Sequence, residues 1–184
     1  MGFPDFGSIY IPPPVGVKEL NIGDAWRAVW VDSDELPQDA PIIHAYAVVC
    51  FEDRGYITRE AGTETWNTVE GTVTGGETPA QWLKRAAMEQ VGATLGHTEL
   101  LGYFICRATS HNPDFPAGTT TVRPVYVVSA KRMKDLGKGA AWERRRLPLN
   151  EFARALRSRY PEIIDQMVKA VDRYVVLRQR GEAA

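Results

Sequence analysis

Residues 66–93 read WNTVEGTVTGGETPAQWLKRAAMEQVGA, and this stretch decides the fold of the 184-residue chain. A glycine-rich loop at residues 71–76 leads directly into a helix start. Thr78 is a residue type that caps helix N-termini, and Pro79 suits the first helical position because its missing N–H has no partner there. Gly92 is a usual residue at a helix C-terminus. The stretch therefore predicts a loop followed by a helix between Pro79 and Gly92.

Glycines and charged residues of this stretch stand at fixed offsets from one another. The spacing is G-x5-E-x7-R-x3-E-x2-G, formed by Gly71, Glu77, Arg85, Glu89 and Gly92. It resembles the Nudix box of the Nudix hydrolase family, whose pattern is G-x5-E-x7-R-E-U-x-E-E-x-G-U with U a bulky aliphatic residue. The resemblance runs from Gly71 to Ala93, and it implies a Nudix-like α/β/α sandwich with a mixed β-sheet between helices.

Two acidic positions of the family pattern are not acidic in this chain. Ala86 and Gln90 stand where the family has Glu, so Glu89 is the one carboxylate left among these three positions. Residues at i, i+3 and i+4 share one helix face, where three carboxylates would attract Mg²⁺, a hard ion that prefers oxygen ligands. A two-metal clamp lacks its ligands on this helix. A single Mg²⁺ or Mn²⁺, held weakly or delivered by the substrate's phosphates, is the cofactor that the pattern allows.

The resemblance also implies roles for residues in and around the box. In the family, the first glutamate and the arginine pair to tie the loop to the helix, and Glu77 and Arg85 match them. Trp66 matches a W-x-x-P-G-G lead-in, although Val69-Glu70 replaces the usual Pro-Gly. The candidate catalytic residues are Glu89 and Glu77. The candidate metal ligands are Glu89, Glu70 and Gln90. The candidate substrate-binding residues are Gly71, Gly75, Gly76, Trp66 and Arg123.

Alternatives to these roles remain open. Glu89 stands four residues after Arg85, so it equally fits an exposed ion pair that contributes about 0.3–0.5 kcal/mol. Gln90 also fits a plain helix former. The general base is open between His111 and Asp114, because both lie in the loop HNPDFPAG outside the box.

Apolar runs on both sides of the box predict the rest of the sheet. The predicted strands are residues 25–31, 42–51, 56–59, 99–107 and 122–130. Pro124 favours an edge position or a bulge for the last strand, since proline cannot donate to a strand ladder. Two helices follow, one capped by Asn150 and a C-terminal one that begins at Pro161. The predicted domains are an N-terminal extension, residues 1–40, and a Nudix-like domain, residues 41–180.

Composition argues against several classes of partner. The formal net charge of −1 gives no electrostatic footprint for nucleic acid or for an anionic membrane. No apolar run approaches the roughly 18 residues of a membrane span, and the first residues do not resemble a secretory signal. Cys50 and Cys106 lie in apolar runs and are expected to be buried thiols. These features predict a cytoplasmic protein, and the N-terminal extension suggests a homodimer by analogy.

Three functions remain open from the sequence. The first, implied by the resemblance, is a hydrolase that cleaves a diphosphate linkage in a nucleoside diphosphate derivative with a divalent metal. The second is a Nudix fold without turnover that binds a small-molecule nucleotide derivative or a protein. The third is a hydrolase whose acidic cluster has moved to Glu70, Glu77 or Asp114. Loss of two helix carboxylates favours the second and third over the unmodified first.

Overall fold

The computed structural model describes residues 18–183 of the chain. The strands are β1 (Leu20–Ile22), β2 (Trp26–Asp32), β3 (His44–Phe51), β4 (Arg54–Glu60), β5 (Val69–Thr72), β6 (Ala93–Ala108), β7 (Thr120–Met133) and β8 (Trp142–Pro148). The helices are α1 (Pro79–Val91), α2 (Leu149–Leu156) and α3 (Ile164–Gln179). Residues 1–17 of the predicted N-terminal extension lie outside the described residues.

Strand β3 sets the layers of the fold because both of its faces are buried. Ala45, Ala47 and Val49 pack with residues of α1, whereas Tyr46 and Val48 pack with residues of α2 and α3. This follows from the alternation of side chains along a strand. The strand order is β1-β2-β6-β7-β3-β4-β8, and β5 pairs with the first half of β3. β3 and β7 are parallel and the other strand pairs are antiparallel, so the predicted α/β/α sandwich with a mixed sheet is confirmed.

Part of the predicted N-terminal extension belongs to this sheet. β2 pairs with β6 from Trp26 opposite Ala108 to Asp32 opposite Gly102, and β1 continues the sheet beyond β2. The domain division at residue 40 stays a prediction. Both cysteines are buried and free, as the sequence predicts.

Of the two environments predicted for Pro124, the edge position is wrong, and an irregularity of the ladder beside it fits the bulge. β7 lies between β6 and β3, in the middle of the sheet. The ladder from β7 to β3 starts at Val125, after an isolated bridge at Val122, so the proline occupies a gap in that ladder. On the other side, the register of β6 shifts between Leu100 and Gly102. Local irregularity on both sides therefore accommodates a residue without an N–H in a central strand.

Helix α1 begins and ends as the sequence predicts. Thr78 Oγ1 accepts a hydrogen bond from the Gln81 N–H, and the Gln81 side chain accepts one from the Thr78 N–H. Gly92 closes the helix in the left-handed conformation, with φ of 71°. The caps fix both ends of α1 through contacts that are local in sequence.

The two later helices start at positions that differ from the predictions. β8 runs directly into α2, so Pro148 precedes the helix and Asn150 lies within its first turn. α3 starts at Ile164 rather than Pro161, because residues 161–163 form a turn first. Neither helix has a side-chain cap at its N-terminus. None of the helices within residues 18–183 has both the length and the apolar character to span a membrane.

We expect Gly92→Ala to be strongly destabilising, because this glycine combines a left-handed backbone with close packing. An added Cβ would lie 2.2 Å from the Lys134 carbonyl oxygen. The left-handed conformation alone costs a non-glycine residue about 1–3 kcal/mol, and the overlap adds to this cost. Gly62→Ala is the matched control, because its φ is +85° but an added Cβ meets nothing within 4 Å. Urea unfolding compares the two, and equal losses of unfolding free energy would contradict this account.

Candidate functional site

Helix α1 turns two of its three predicted ligand positions toward the protein interior. Ala86 is 0% exposed and Gln90 is 5% exposed. The side chain of Glu89, by contrast, is 50% exposed. A carboxylate at either buried position would be desolvated, which is costly unless cations and hydrogen bonds compensate. The two missing glutamates of the box thus coincide with positions that this fold buries.

The amide of Gln90 holds strand β5. Its Nε2 donates to the Glu70 carbonyl oxygen at 2.8 Å, and its Oε1 accepts from the Glu70 N–H at 3.4 Å. Gly71 follows on the strand, and an added Cβ there would lie 3.8 Å from Gln90 Nε2 and from the Trp82 indole nitrogen. The predicted metal ligand Gln90 therefore joins α1 to β5 at the start of the glycine loop.

Glu77 and Arg85 form a pair between the loop and the helix, as the resemblance implies. Arg85 Nε donates to Glu77 Oε1 at 2.7 Å, and Arg85 Nη2 donates to Glu77 Oε2 at 3.0 Å. Thr74 donates its N–H and its hydroxyl to the same Oε2 at 3.1 and 2.9 Å. These bonds, first of all those from Arg85, lower the pKa of Glu77 to about 2. Arg85 Nη1 also donates to Glu89 at 3.2 Å.

The Glu70 carboxylate is the centre of a second polar network, on the face of the sheet that carries α2 and α3. Its Oε1 accepts from the Tyr160 hydroxyl at 2.8 Å and from Arg159 Nη2 at 2.9 Å. Its Oε2 lies 3.0 Å from His44 Nε2. Because an ionised carboxylate only accepts, His44 donates through Nε2.

Burial acts on the pKa values of both Glu70 and His44. Burial alone raises the pKa of Glu70, but the hydrogen bond and charge of His44 and the charge of Arg159 outweigh it, so this pKa lies below its ordinary value. Burial also lowers the pKa of His44, although the hydrogen bond with Glu70 raises it. At neutral pH the network therefore holds a carboxylate beside a neutral imidazole.

The candidate ligands do not form a metal site by themselves. No group of three or more His, Cys, Asp or Glu residues that could hold a metal ion occurs within residues 18–183. Glu70, Glu77 and Glu89 each accept a hydrogen bond from an arginine. A two-metal clamp needs several anionic ligands around one spot, and this arrangement does not fit one. Binding of Mg²⁺ or Mn²⁺ together with a substrate stays a prediction.

A cavity of about 1140 Å³ opens beside the Glu70 network. Its walls come from the β1–β2 turn, from β3, β5 and β7, from the loop after β6 and from the turn before α3. No residue between 71 and 93 lines it, so Glu70 is the link between the box and the cavity. The arginines that line it are Arg27, Arg107, Arg123 and Arg159, and the acidic residues are Asp24, Glu70 and Glu162.

Arg123 is the most deeply buried of the cavity arginines. It is 8% exposed, and its Nη1 donates to the Tyr46 hydroxyl at 2.9 Å. The guanidinium carbon lies 5.3 Å from the centroid of the Trp26 ring. Its Nε is buried and has no hydrogen-bond partner among the described residues. The structure thus places this predicted substrate-binding residue in the cavity, away from the box helix.

Trp66 lies at a separate place, beneath two arginines. The guanidinium carbons of Arg59 and Arg145 are 4.5 and 4.6 Å from the centroid of its ring. This is the geometry of cation–π contacts. Trp66 is not among the residues that line the cavity. The predicted substrate-binding residues Trp66 and Arg123 are therefore not brought together.

The loop candidates also fall on different surfaces. Gly75 and Gly76 lie in the exposed loop before α1, and an added Cβ at either position would meet nothing within 4 Å. His111 lines the cavity, whereas Asp114 does not. Of the two candidate bases, only His111 is thus placed near the Glu70 network.

Sequence reasoning missed the partners of the Glu70 carboxylate. Arg159 and Tyr160 stand in the turn before α3, far along the chain from β5. His44 alternates with apolar neighbours on its strand, which leaves open whether it faces a pocket or solvent. One feature of the sequence pointed to this network. Glu70 is an acidic residue at the position where the family's lead-in usually has a glycine.

The chain resembles solved structures of Nudix proteins. A mutant of the Bacillus subtilis pyrophosphohydrolase BsRppH matches with a TM-score of 0.52 and 15% identity over 66% of this chain and 72% of that chain. A MutT protein of Aliivibrio salmonicida or Vibrio cholerae matches with a TM-score of 0.47 and 18% identity over 71% of this chain and 96% of that chain. A Nudix hydrolase from Nitrosomonas europaea matches with a TM-score of 0.44 and 18% identity over 62% of this chain and 77% of that chain.

These likenesses concern the fold. Neither a protein-family model nor a curated protein matches the chain. The match to the Bacillus subtilis pyrophosphohydrolase establishes that the chain has the Nudix fold, as the box spacing predicts. At 15% identity, that match shows the fold alone.

We expect Gln90→Glu to destabilise the protein rather than to restore a metal site. A carboxylate oxygen would replace the Nε2 that donates to the Glu70 carbonyl oxygen at 2.8 Å, so two acceptors would face each other. A buried polar group without a partner costs about 1–3 kcal/mol. Gln81→Glu is the matched control, because a glutamate there can keep the bond to the Thr78 N–H. Urea unfolding is measured with and without Mg²⁺, and stabilisation of Gln90→Glu by Mg²⁺ would refute this expectation.

We expect Glu77→Gln to remove a pH-dependent part of the stability. The pair with Arg85 requires an ionised carboxylate, whose pKa is lowered from 4.5 to about 2. For a lowered folded-state pKa, the stabilisation is full above the unfolded-state pKa and is lost as pH falls through the folded-state value. The difference in unfolding free energy from wild type should thus shrink between pH 4.5 and about 2.

Urea unfolding at a series of pH values measures this difference. Asp53→Asn is the control, because Asp53 is exposed and is paired with its chain neighbour Arg54. A loss of stability in Glu77→Gln that stays the same at every pH would show that the ionised pair is not its cause.

Proposed function

We propose that the protein binds a nucleoside diphosphate derivative in the cavity, and that binding, rather than metal-dependent cleavage by the box helix, is its function. The observation that carries this proposal is the burial of Ala86 and Gln90. Because neither of these buried residues carries a carboxylate, Glu89 is the one carboxylate among the three ligand positions of α1, and its side chain is 50% exposed. The helix then serves to hold β5 and the glycine loop in place.

The cavity supports this proposal by its size, charge and aromatic content. Its volume of about 1140 Å³ slightly exceeds the range of about 300–1,000 Å³ that is usual for small-molecule sites, so a nucleotide with an attached group fits. Arginines outnumber acidic residues in its lining, which favours an anionic ligand. Of its aromatic residues, Tyr46 and Tyr160 are 1% and 4% exposed, so the partly exposed ring of His44 is the one that can contact a base.

Hydrolysis at the box is a second candidate, favoured by the position of Glu89. Its carboxylate is half exposed and accepts from Arg85 at 3.2 Å, the longest of the Arg85 bonds to carboxylates. In that reaction water would attack a phosphorus of the diphosphate, Glu89 would help to hold an ion delivered with the substrate, and Glu77 would keep the loop in place. The substrate would have to lie on the outer surface of α1, because no box residue lines the cavity.

A ligand panel separates binding from cleavage. ADP-ribose, a dinucleotide, a nucleoside triphosphate and a diadenosine polyphosphate are titrated calorimetrically in EDTA and in Mg²⁺ or Mn²⁺, and products are followed by chromatography. We expect at least one compound to bind in EDTA, because the cavity arginines supply the positive charge. We expect no cleavage in either condition.

Variants of α1 decide between the two candidates. Cleavage in Mg²⁺ that is lost in Glu89→Gln and kept in Lys84→Gln, an exposed position on the same helix, would favour hydrolysis at the box. Absence of binding to all four compounds in both conditions would contradict both candidates.

A further inference from the structure

Arg123 is a buried cation that makes no ion pair within 4 Å among residues 18–183, although the charge of Glu70 acts on it from a longer distance. Its Nη1 donates a hydrogen bond to the neutral Tyr46 hydroxyl, and its Nε has no hydrogen-bond partner among the described residues. Burying a charge is costly unless it is paired and hydrogen-bonded, and a buried donor without an acceptor adds to that cost. Because Arg123 lines the cavity, an anion bound there supplies a countercharge to its guanidinium, whereas Nε itself is enclosed by protein.

The turn before α3 borders the same cavity but brings no further positive charge to it. Glu162 and Ile163 of this turn line the cavity, and no residue of α3 itself does. The Gln166 N–H donates to the Ile163 carbonyl oxygen at 3.2 Å, and Asp165 places a carboxylate in the first turn of the helix. The buried positive charge available at this part of the cavity is therefore that of Arg123.

We propose that Arg123 forms an anion subsite of the cavity, which takes a phosphoryl group of the ligand without a metal ion. This deepens the proposed function, on which it rests, by giving the diphosphate an anchor. The planar guanidinium of Arg123 matches the spacing of phosphate oxygens and stays charged across the pH range of the cell. It supplies directly the positive charge that a metal ion would bring.

Two of the other cavity arginines, Arg159 and Arg27, are less suited to hold an anion. Arg159 already donates to Glu70 at 2.9 Å and to Asn67 at 2.6 Å. Arg27 has a side chain that is 53% exposed, and it lies 3.7 Å from Glu19. Solvent screens the charge of an exposed arginine, so its loss changes affinity little. Affinity for an anion should therefore depend on Arg123 far more than on Arg27.

Calorimetric titration with inorganic pyrophosphate in EDTA, at fixed ionic strength, tests the subsite. We expect wild type to bind, and Arg123→Met to lose at least about tenfold in affinity because a charge-assisted bond disappears. Arg27→Gln removes the same charge from the same cavity and should lose less than about threefold. Equal losses in the two variants, or no binding by wild type, overturn the subsite.

A measurement on the wild-type protein covers the case in which Arg123→Met does not fold. The Nε–H signal of Arg123 is identified in the ¹⁵N–¹H spectrum by its absence in Arg123→Lys. We expect pyrophosphate to shift this signal, because an anion beside the guanidinium changes the electrostatic environment of Nε–H, and matched chloride to leave it in place. A signal that pyrophosphate does not move overturns the proposal.

Nucleotide binding distinguishes failure of the subsite from failure of the proposed function. A nucleotide that binds Arg123→Met as tightly as wild type overturns the subsite and leaves binding in the cavity intact. Pyrophosphate binding that depends on Arg123, without binding of any nucleotide, supports the subsite and contradicts the nucleoside part of the proposed function.

Discussion

The structure depends on how Glu70 is held from both faces of the sheet. Its backbone N–H and carbonyl are bonded by the amide of Gln90 from α1, while its carboxylate accepts from His44, Arg159 and Tyr160 on the opposite face. A strand residue can serve in this way because its side chain leaves the sheet on one side only. The box helix thereby positions a wall of the cavity without contributing a side chain to it.

This double attachment conflicts with a metal site on α1. A ligand oxygen that holds Mg²⁺ must be free of competing donors, and the Glu70 carbonyl oxygen accepts a hydrogen bond from Gln90 Nε2 at 2.8 Å. Ala86 is fully buried, so a charge there would lose its hydration. The same two substitutions that remove metal ligands therefore allow α1 to pack closely on the sheet. The lack of metal ligands at positions 86 and 90 and the burial of these positions are therefore consistent with each other.

Local signals predicted much of the fold, and features set by distant contacts were missed. The ends of α1 were predictable because Thr78 and Gly92 act on neighbouring residues. The start of α2 was not, because β8 continues to Pro148 and overrides the capping tendency of Asn150. The box spacing identified the fold, yet spacing alone does not say which positions of a helix face the core. The partners of Glu70 come from a turn far along the chain, which no local pattern reveals.

The proposed binding of an anionic ligand agrees with the charge balance of the site. A face of several carboxylates repels a diphosphate and needs metal ions between the two negative partners. Without those carboxylates the repulsion disappears, and a cation fixed in the protein can meet the ligand directly. Arg123 is the cation proposed for this role, and its burial would make the interaction less sensitive to salt than one at the surface. A protein that bound its ligand in this way would lack activation of water by a metal, which agrees with the proposed binding without turnover.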